Sequence, residues 1–465
     1  MIGRKLYGIL MAALCGVVVT SCGPSGDELE VVTPIIVGQS ITTGTTEVSI
    51  EPRDIYIIFD RDVKVRNESA IYFEPAVAAE VSAEGMILTI KTTEEMRYEC
   101  DYLLTIGKGV VVDALTGGDN NERVISFRTK RGPYVPPAEP ATVLVTPGAT
   151  VAAQNVYNFL WANYGSKTLS SASLNEYLNV NECEWVYQWT QKHPAILNVD
   201  YKYLYVSPSA QMDYATIEPI VEDWWDNNGL VSASWHWMVP PQEGVRYNYT
   251  TDGAATTVRP TNMLKEGTWE HELMMADLKE MATILKAYKN KGIPVLWRPL
   301  HEAAGTTYTE SNGKPWFWWG FDGAEVYVEL WRTMFNYFKS EGLTNLIWVW
   351  NTQLEDIEFY PGDEYVDIVA CDVYNSLSVS KALAVWDSVT GQFPHRMVSL
   401  CELGRMCDMS MQLDNGIAWS YFMPWYDNDN NLSEGFAHQY ATIEWWRIAL
   451  SDQRVIARED MPSLK

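Results

Sequence analysis

Two textures of apolar and polar residues follow one another along this chain. From Pro34 to about Lys130, short runs alternate with a period of two: "DIYIIFD" (54–60), "MILTI" (86–90), "YLLTI" (102–106) and "VISFRT" (124–129). Turn signals such as "AEG" and "TGGDNN" fall between them. Alternation of this kind predicts half-buried strands, and their close spacing predicts an all-β sandwich over 34–130. From about residue 150 the apolar runs become near-continuous. They are "KTLSSA" (167–172), "AILNVDY" (195–201), "LVSASWHW" (230–237), "IPVLWRPLHE" (293–302), "NLIWVWN" (345–351), "VDIVACDVY" (366–374), "HRMVSLCELG" (395–404) and "GIAWSYFMPW" (416–425). Helical patterns separate several of them, clearest at 271–291 and 323–341. Strands buried on both faces and alternating with helices predict a (β/α)8 TIM barrel over 149–465. Four prolines in "RGPYVPPAEP" (131–140) predict an extended connector, with the linker at 131–148.

The first residues have a texture of their own. Arg4 and Lys5 precede an apolar stretch from Leu6 to Thr20, too short for a membrane-spanning helix and patterned as an export signal over 1–21. "VVTSC" resembles a lipobox, which implies lipidation of Cys22, with 22–33 as a tether. The expectation is a chain lipid-anchored to the bacterial outer membrane, either cell-surface exposed or periplasm-facing; a cleaved soluble signal is the alternative. The run "YLLTIGKGVVVDALTGGDNNERVISFRT" resembles bacterial Ig-like domains, implying a spacer, with sugar binding as the other reading.

Composition narrows the ligand. A formal net charge of −26 excludes nucleic-acid backbones, which need clustered Lys and Arg. Twenty Trp and 26 Tyr suit a neutral polymer with flat apolar faces, such as a polysaccharide. Of the seven cysteines, Cys15 falls in the signal and Cys22 in the lipobox. Cys100, Cys183, Cys371, Cys401 and Cys407 are odd in number and form no C-x-x-C pair, so buried free thiols are expected.

In a (β/α)8 barrel the chemistry gathers where strands end. Strand three ends at His236, strand four at "RPLHE" with Arg298, His301 and Glu302, strand six at Asp372 and Tyr374, strand seven at Glu402 and strand eight at Trp425. Two glutamates on different strands are what glycoside hydrolysis requires, one as proton donor and one as nucleophile or base. The donor has to be held protonated by burial or a neighbouring carboxylate, and Tyr374 and Arg298 are candidate donors to the other. "WFWWG" (316–320) adds an aromatic wall. Each piece also has a structural reading: a strand-end glutamate in an ion pair, histidines bonded to carbonyls, tryptophans in the core. Their coincidence at successive strand ends favours a site.

These same residues carry a resemblance. "RPLHE", "WFWWG", "NLIWVWN", "YPGDEYVDIVACDVY" and "ELG", in that order, resemble glycoside hydrolase family 26, whose best-known members are endo-β-mannanases. The resemblance covers roughly 150–450 and implies a retaining endo-β-1,4-mannanase acting on mannan, galactomannan or glucomannan. By it, Glu302 is the acid/base and Glu402 the nucleophile. By it too, Tyr374 touches the nucleophile, His236, His301, Trp316 and Trp425 line the subsite where the bond is cut, and Asp372 is a further carry-over; Arg298 joins them as an expected substrate-binding residue on its strand-end position alone. No metal or organic cofactor is implied, and a monomer is expected. Two departures stand out: a long "AAGTTYTESNGKP" (303–315) before Trp316, and Leu403 where an aromatic is common. A β-1,3-xylanase, a mixed-linkage glucanase or a non-catalytic glycan-binding lipoprotein remain as alternatives.

Overall fold

A computed structural model describes residues 30–136, 143–174, 179–202, 218–305, 313–427, 433 and 438–465. The expected export signal and Cys22 lie outside the described residues, as do 137–142 of the connector and 306–312 of the long loop. The chain divides between Lys130 and Arg131 into two compact units.

In the first unit two four-stranded sheets share one apolar core. One sheet runs Ile36–Gln39, Asp54–Phe59, Ile87–Thr92, Ala79–Glu84 in space, and the other Thr45–Val48, Arg123–Thr129, Asp101–Ile106, Ile71–Glu74. The period-two pattern does what it predicts: Ile55, Ile57 and Phe59 point inward from one sheet, and Tyr102, Leu104 and Ile106 from the other. At "AEG", Glu84 pairs with Ile87 across a two-residue loop, and Gly85 supplies the positive φ (55°) that such a hairpin needs.

The second unit is a closed barrel of eight parallel strands. In chain order they are Thr168–Ser173, Ile196–Asp200, Leu230–Trp235, Val295–Pro299, Leu346–Thr352, Ile368–Tyr374, Met397–Gly404 and Tyr421–Pro424. Each pairs with the next, and the first pairs with both the second (Ser171 with Ile196) and the eighth (Leu169 with Tyr421), which closes the ring. Seven of the eight are buried along their whole length. That is why they read as apolar runs rather than alternating ones. Helices Trp269–Asn290 and Ala324–Ser340 flank the fourth strand in sequence, as their patterns predict. Strands five and six are joined only by a single 3-10 turn, Ile357–Phe359.

Four of the five expected thiols are buried and Cys100 is partly so; all five are free. One glycine shapes the barrel mouth. A Cβ on Gly320 would lie 1.8 Å from the Ala303 carbonyl oxygen. Glycine there lets the "WFWWG" segment press directly on the loop that leaves strand four.

Candidate active site

Strand four ends in an unusual way. After Pro299, Leu300 and Glu302 both adopt left-handed backbone (φ 50° each), a conformation that non-glycine residues rarely take. The turn is held from outside. The Tyr327 hydroxyl donates to the Leu300 carbonyl at 3.0 Å, and the Trp319 indole N–H donates to the His301 carbonyl at 2.8 Å. Local strain of this kind persists where the surroundings over-determine it. Its effect is to turn Glu302 toward the barrel mouth while Arg298 and His301, within the same five residues, stay buried beside it.

Arg298 is the hub. Its Nη1 donates to Glu402 Oε1 at 2.9 Å, its Nη2 to Asp372 Oδ2 at 2.5 Å and its Nε to Asn351 Oδ1 at 2.8 Å. Asn351 Nδ2 closes the network on the same Asp372 oxygen at 2.9 Å. Glu402 receives a second donor, the Tyr374 hydroxyl on Oε2 at 2.8 Å. Both glutamate oxygens are thus filled by donors, as a carboxylate requires. One oxygen each from Glu302, Asp372 and Glu402 lies within 4.8 Å of the others. Three carboxylates so close are spaced as metal ligands are, but here the guanidinium already bonds two of them and supplies the positive charge.

Protons are distributed unevenly among these groups. Burial, and then the Glu402 carboxylate, push the Glu302 carboxyl up to about 7, with Arg298 pulling the other way. Burial also raises Asp372 well above the carboxylate range, with Arg298 pulling the other way and the Glu402 and Glu302 carboxylates adding to the rise. Protonation is therefore favoured at these two carboxyls. Burial lowers His301 well below its ordinary value, as do the charges of Arg298 and His236, so its ring is neutral. Burial pulls His236 down as well, but the Asp200 carboxylate more than offsets this. His236 Nδ1 meets Asp200 Oδ2 at 2.6 Å, and its Nε2 lies 3.0 Å from His301 Nε2. One of those two nitrogens has to carry the proton, and the raised His236 is the donor to the neutral His301.

Not every expected binding residue reaches the mouth. Arg298 and Asp372 were expected to contact ligand; their side chains are 2% and 0% exposed, sealed beneath the glutamates. His301 is as deeply buried (1%). A buried guanidinium has to be paired, and pairing draws its partners down with it. Trp316 and Tyr374 stand open at 36% and 37% exposure, and Trp425 and His236 are partly open. Trp316 Nε1 donates to Glu302 Oε2 at 3.1 Å, so the long preceding loop does not displace it. Within "WFWWG", Trp318 and Trp319 belong to the core, while Phe317 packs on His301 at 5.3 Å and His236 at 5.7 Å between ring centroids. Asp200, Asn351 and Phe317 are the members that sequence reading missed. The first two end strands two and five, so the strand-end rule that found the others reaches them as well.

The His236 environment makes a direct prediction. In Asp200→Asn the raising influence on His236 is gone while burial stays, so the imidazole titrates at lower pH than in the parent protein. Histidine-selective NMR titration checks it; an unmoved or higher midpoint would mean that Asp200 does not charge this ring.

Comparison with known proteins agrees with this architecture. Residues 145–444 match glycosyl hydrolase family 26. A mannan endo-1,4-β-mannosidase A from Piromyces sp. is 30% identical over 312 residues, covering 64% of this chain and 49% of the relative. The chain spans about half the length of the curated relatives it matches first. Among solved structures, the GH26 domain of an endo-β-mannanase/endo-β-glucanase from Prevotella bryantii superposes with a TM-score of 0.63 at 32% identity, covering 69% of this chain and 99% of that one. A β-mannanase from a symbiotic protist of the termite Reticulitermes speratus, complexed with a gluco-manno-oligosaccharide, gives 0.60 at 29% identity, covering 70% and 99%. A match over most of the barrel unit decides the matter of family: this chain belongs to glycosyl hydrolase family 26.

Proposed function

We propose that the barrel unit is a retaining endo-β-1,4-mannanase in which Glu402 is the nucleophile and Glu302 the acid/base. The observation that carries this reading is the pairing of two unlike glutamates. One is filled with donors and suited to attack; the other is held protonated near neutral pH; their oxygens lie within 4.8 Å. That separation fits direct attack, for which carboxyl groups stand about 5–5.5 Å apart, and leaves no room for the water that an inverting enzyme places between them.

The steps follow from the geometry. Glu402 attacks the anomeric carbon while Glu302 gives its proton to the departing glycosidic oxygen, leaving a glycosyl ester on Glu402. Esterification removes the Glu402 charge, and with it part of the repulsion that held the Glu302 proton in place. Glu302 is then better suited to take a proton from water, whose oxygen attacks the ester and frees the sugar. Arg298 and Tyr374 fix the attacking carboxylate. The partly open aromatics Trp316, Trp425 and Tyr374 supply apolar faces for pyranose rings. The relatives named for mannan support the choice of substrate, and β-1,3-xylan or mixed-linkage glucan is the second reading.

Two outcomes are expected. The full chain releases oligosaccharides from galactomannan, glucomannan and unsubstituted mannan, and Glu402→Gln releases none above background. Cleavage of β-1,3-xylan or mixed-linkage glucan alone would keep the mechanism and discard the substrate, and tight binding without cleavage would discard both. The second outcome concerns pH. Because Glu302 has to be protonated to act as acid and its pKa is raised to about 7, kcat/KM falls as pH rises through that value. Glu302→Gln loses about 10²–10⁴-fold in rate on unactivated mannan, together with this alkaline limb. An alkaline limb that survives in Glu302→Gln belongs to another group.

A further inference from the structure

The two histidines at the mouth meet nitrogen to nitrogen. His236 Nε2 and His301 Nε2 lie 3.0 Å apart, with the rings at 80° and their centroids 4.3 Å apart. Such a contact holds only when one of the facing nitrogens carries a hydrogen and the other does not. Asp200 limits how that condition is met. Its Oδ2 lies 2.6 Å from His236 Nδ1, and its Oδ1 accepts from the His236 backbone N–H at 3.1 Å. Burial raises the Asp200 carboxyl, but the facing imidazole more than offsets this, so it stays charged and keeps a hydrogen on His236 Nδ1.

Two arrangements then satisfy the contact. In one, His236 is an imidazolium and donates to His301, whose own hydrogen sits on Nδ1. In the other, His236 is neutral with its hydrogen facing Asp200, and His301 donates to it from Nε2. Going from the first to the second, the hydrogen crosses from His236 Nε2 to His301 Nε2, and the Nδ1 hydrogen of His301 leaves to solvent. The bond survives but runs the other way, and one positive charge is lost. A histidine tautomer is ordinarily fixed by the partner of its other nitrogen. His301 Nδ1 is buried and has no hydrogen-bond partner among the described residues, so His236 alone selects its tautomer.

The charge that changes here faces the chemistry. His301 Nε2 lies 3.8 Å from Glu402 Oε1. Burial and Glu402 raise the Glu302 carboxyl, while Arg298 and His236 pull it down. Besides Asp200 and the two glutamates, the charged groups facing the pair are Lys202, just past strand two, and Arg298 of strand four. Phe317 and Trp425, packed on the His236 ring, carry no charge.

We propose that Asp200 is a positioning residue of the reaction: it fixes His236 so that the two-histidine contact reverses with the loss of a single proton, and it holds that proton as a charge facing the catalytic glutamates. The catalytic part of this rests on the proposed role of Glu302 as acid.

A first test needs no turnover. In the full chain carrying 15N-histidine, imidazole NMR shows which ring nitrogens bear hydrogen, and His236→Gln and His301→Gln assign the two signals among the six histidines. Below the His236 midpoint, His236 is doubly protonated and His301 holds its hydrogen on Nδ1. Above it, His236 keeps only Nδ1–H and His301 has changed to Nε2–H, at the same midpoint and without a charged form between. A His301 tautomer that stays fixed, or changes at a different midpoint, overturns the proposal.

The second test is the pH profile of kcat/KM on β-1,4-mannohexaose. A cation near Glu302 favours its ionisation and so draws the alkaline limb down. In Asp200→Asn the imidazole is neutral at that limb, which moves up by about half a pH unit or more; lost packing alone lowers the rate and leaves the limb in place. With His236→Gln present, Asp200→Asn has no imidazole to act through and raises the limb no further. A limb that stays or falls in Asp200→Asn, or rises again in the double variant, overturns the proposal. Should Asp200→Asn fail to fold, His236→Gln alone is expected to raise the limb, and an unmoved limb counts against it in the same way. If the parent protein cleaves no β-mannan, the role of Glu302 fails by itself, and the NMR result decides what Asp200 does to the pair.

Discussion

A guanidinium sealed inside a barrel has to be paired, and the pairing of Arg298 organises everything around it. An uncompensated buried charge costs several kcal/mol even after relaxation. Arg298 comes from strand four, and its partners Asn351, Asp372 and Glu402 from strands five, six and seven. A planar fork with fixed donor directions sets three side chains on three strands at once, which a lysine ammonium does not do. The same charge lets two carboxylates stand close to a third. Without it, Glu402, Asp372 and Glu302 would repel one another into protonation or apart. With it, protonation is favoured at Glu302 and Asp372 while Glu402 is surrounded by donors.

Precision at this mouth has a structural cost, visible in the backbone. Leu300, Glu302, Asn375 and Arg405 are all left-handed without being glycine, and each lies just past the end of strand four, six or seven. Rigid outer contacts hold them there: Tyr327 and Trp319 behind strand four, and the Gly404 carbonyl, which accepts from the Asn375 N–H at 2.7 Å, behind strand six. Gly320 and Gly404 complete the arrangement by leaving room where a methyl group would collide. The large aromatic content therefore has two separate uses. Trp319 and Tyr327 buttress the strand-four turn from the core and Trp318 bonds to the Trp237 carbonyl, while Trp316, Tyr374 and Trp425 face outward.

Much of this was legible in the residues, for a physical reason. Strands buried on both faces have to be apolar throughout, so a charged group at the end of such a run is conspicuous, and Glu302 and Glu402 stood out on that ground. Asp200 and Asn351 were written in the same register but belong to "AILNVDY" and "NLIWVWN", where one short polar side chain near a run's end looks like ordinary termination. Burial was harder to foresee. Residue type does not distinguish Trp316 from Trp318; the short 3-10 turn that sends one outward and one inward does. The least apolar strand, Thr168–Ser173, makes sense only in three dimensions: Asn198 bridges the Ser173 and Ser234 hydroxyls across three neighbouring strands at 3.0 and 3.2 Å, a polar layer no periodicity announces. In the first unit, the short strands Val63–Val65 and Val111–Asp113 escaped notice because three residues carry too little alternation to read.

The central claim is that Glu402 bonds to the sugar directly because Arg298 and Tyr374 hold it within reach, with no water between the two glutamates. Product stereochemistry tests this most directly. Proton NMR of a β-mannooligosaccharide digest, recorded in the first minutes before mutarotation, reports which anomer appears first. Two displacements at the same carbon predict the β anomer, turning into the equilibrium mixture afterwards. Initial appearance of the α anomer would mean a single displacement by water, and would contradict the account at its centre.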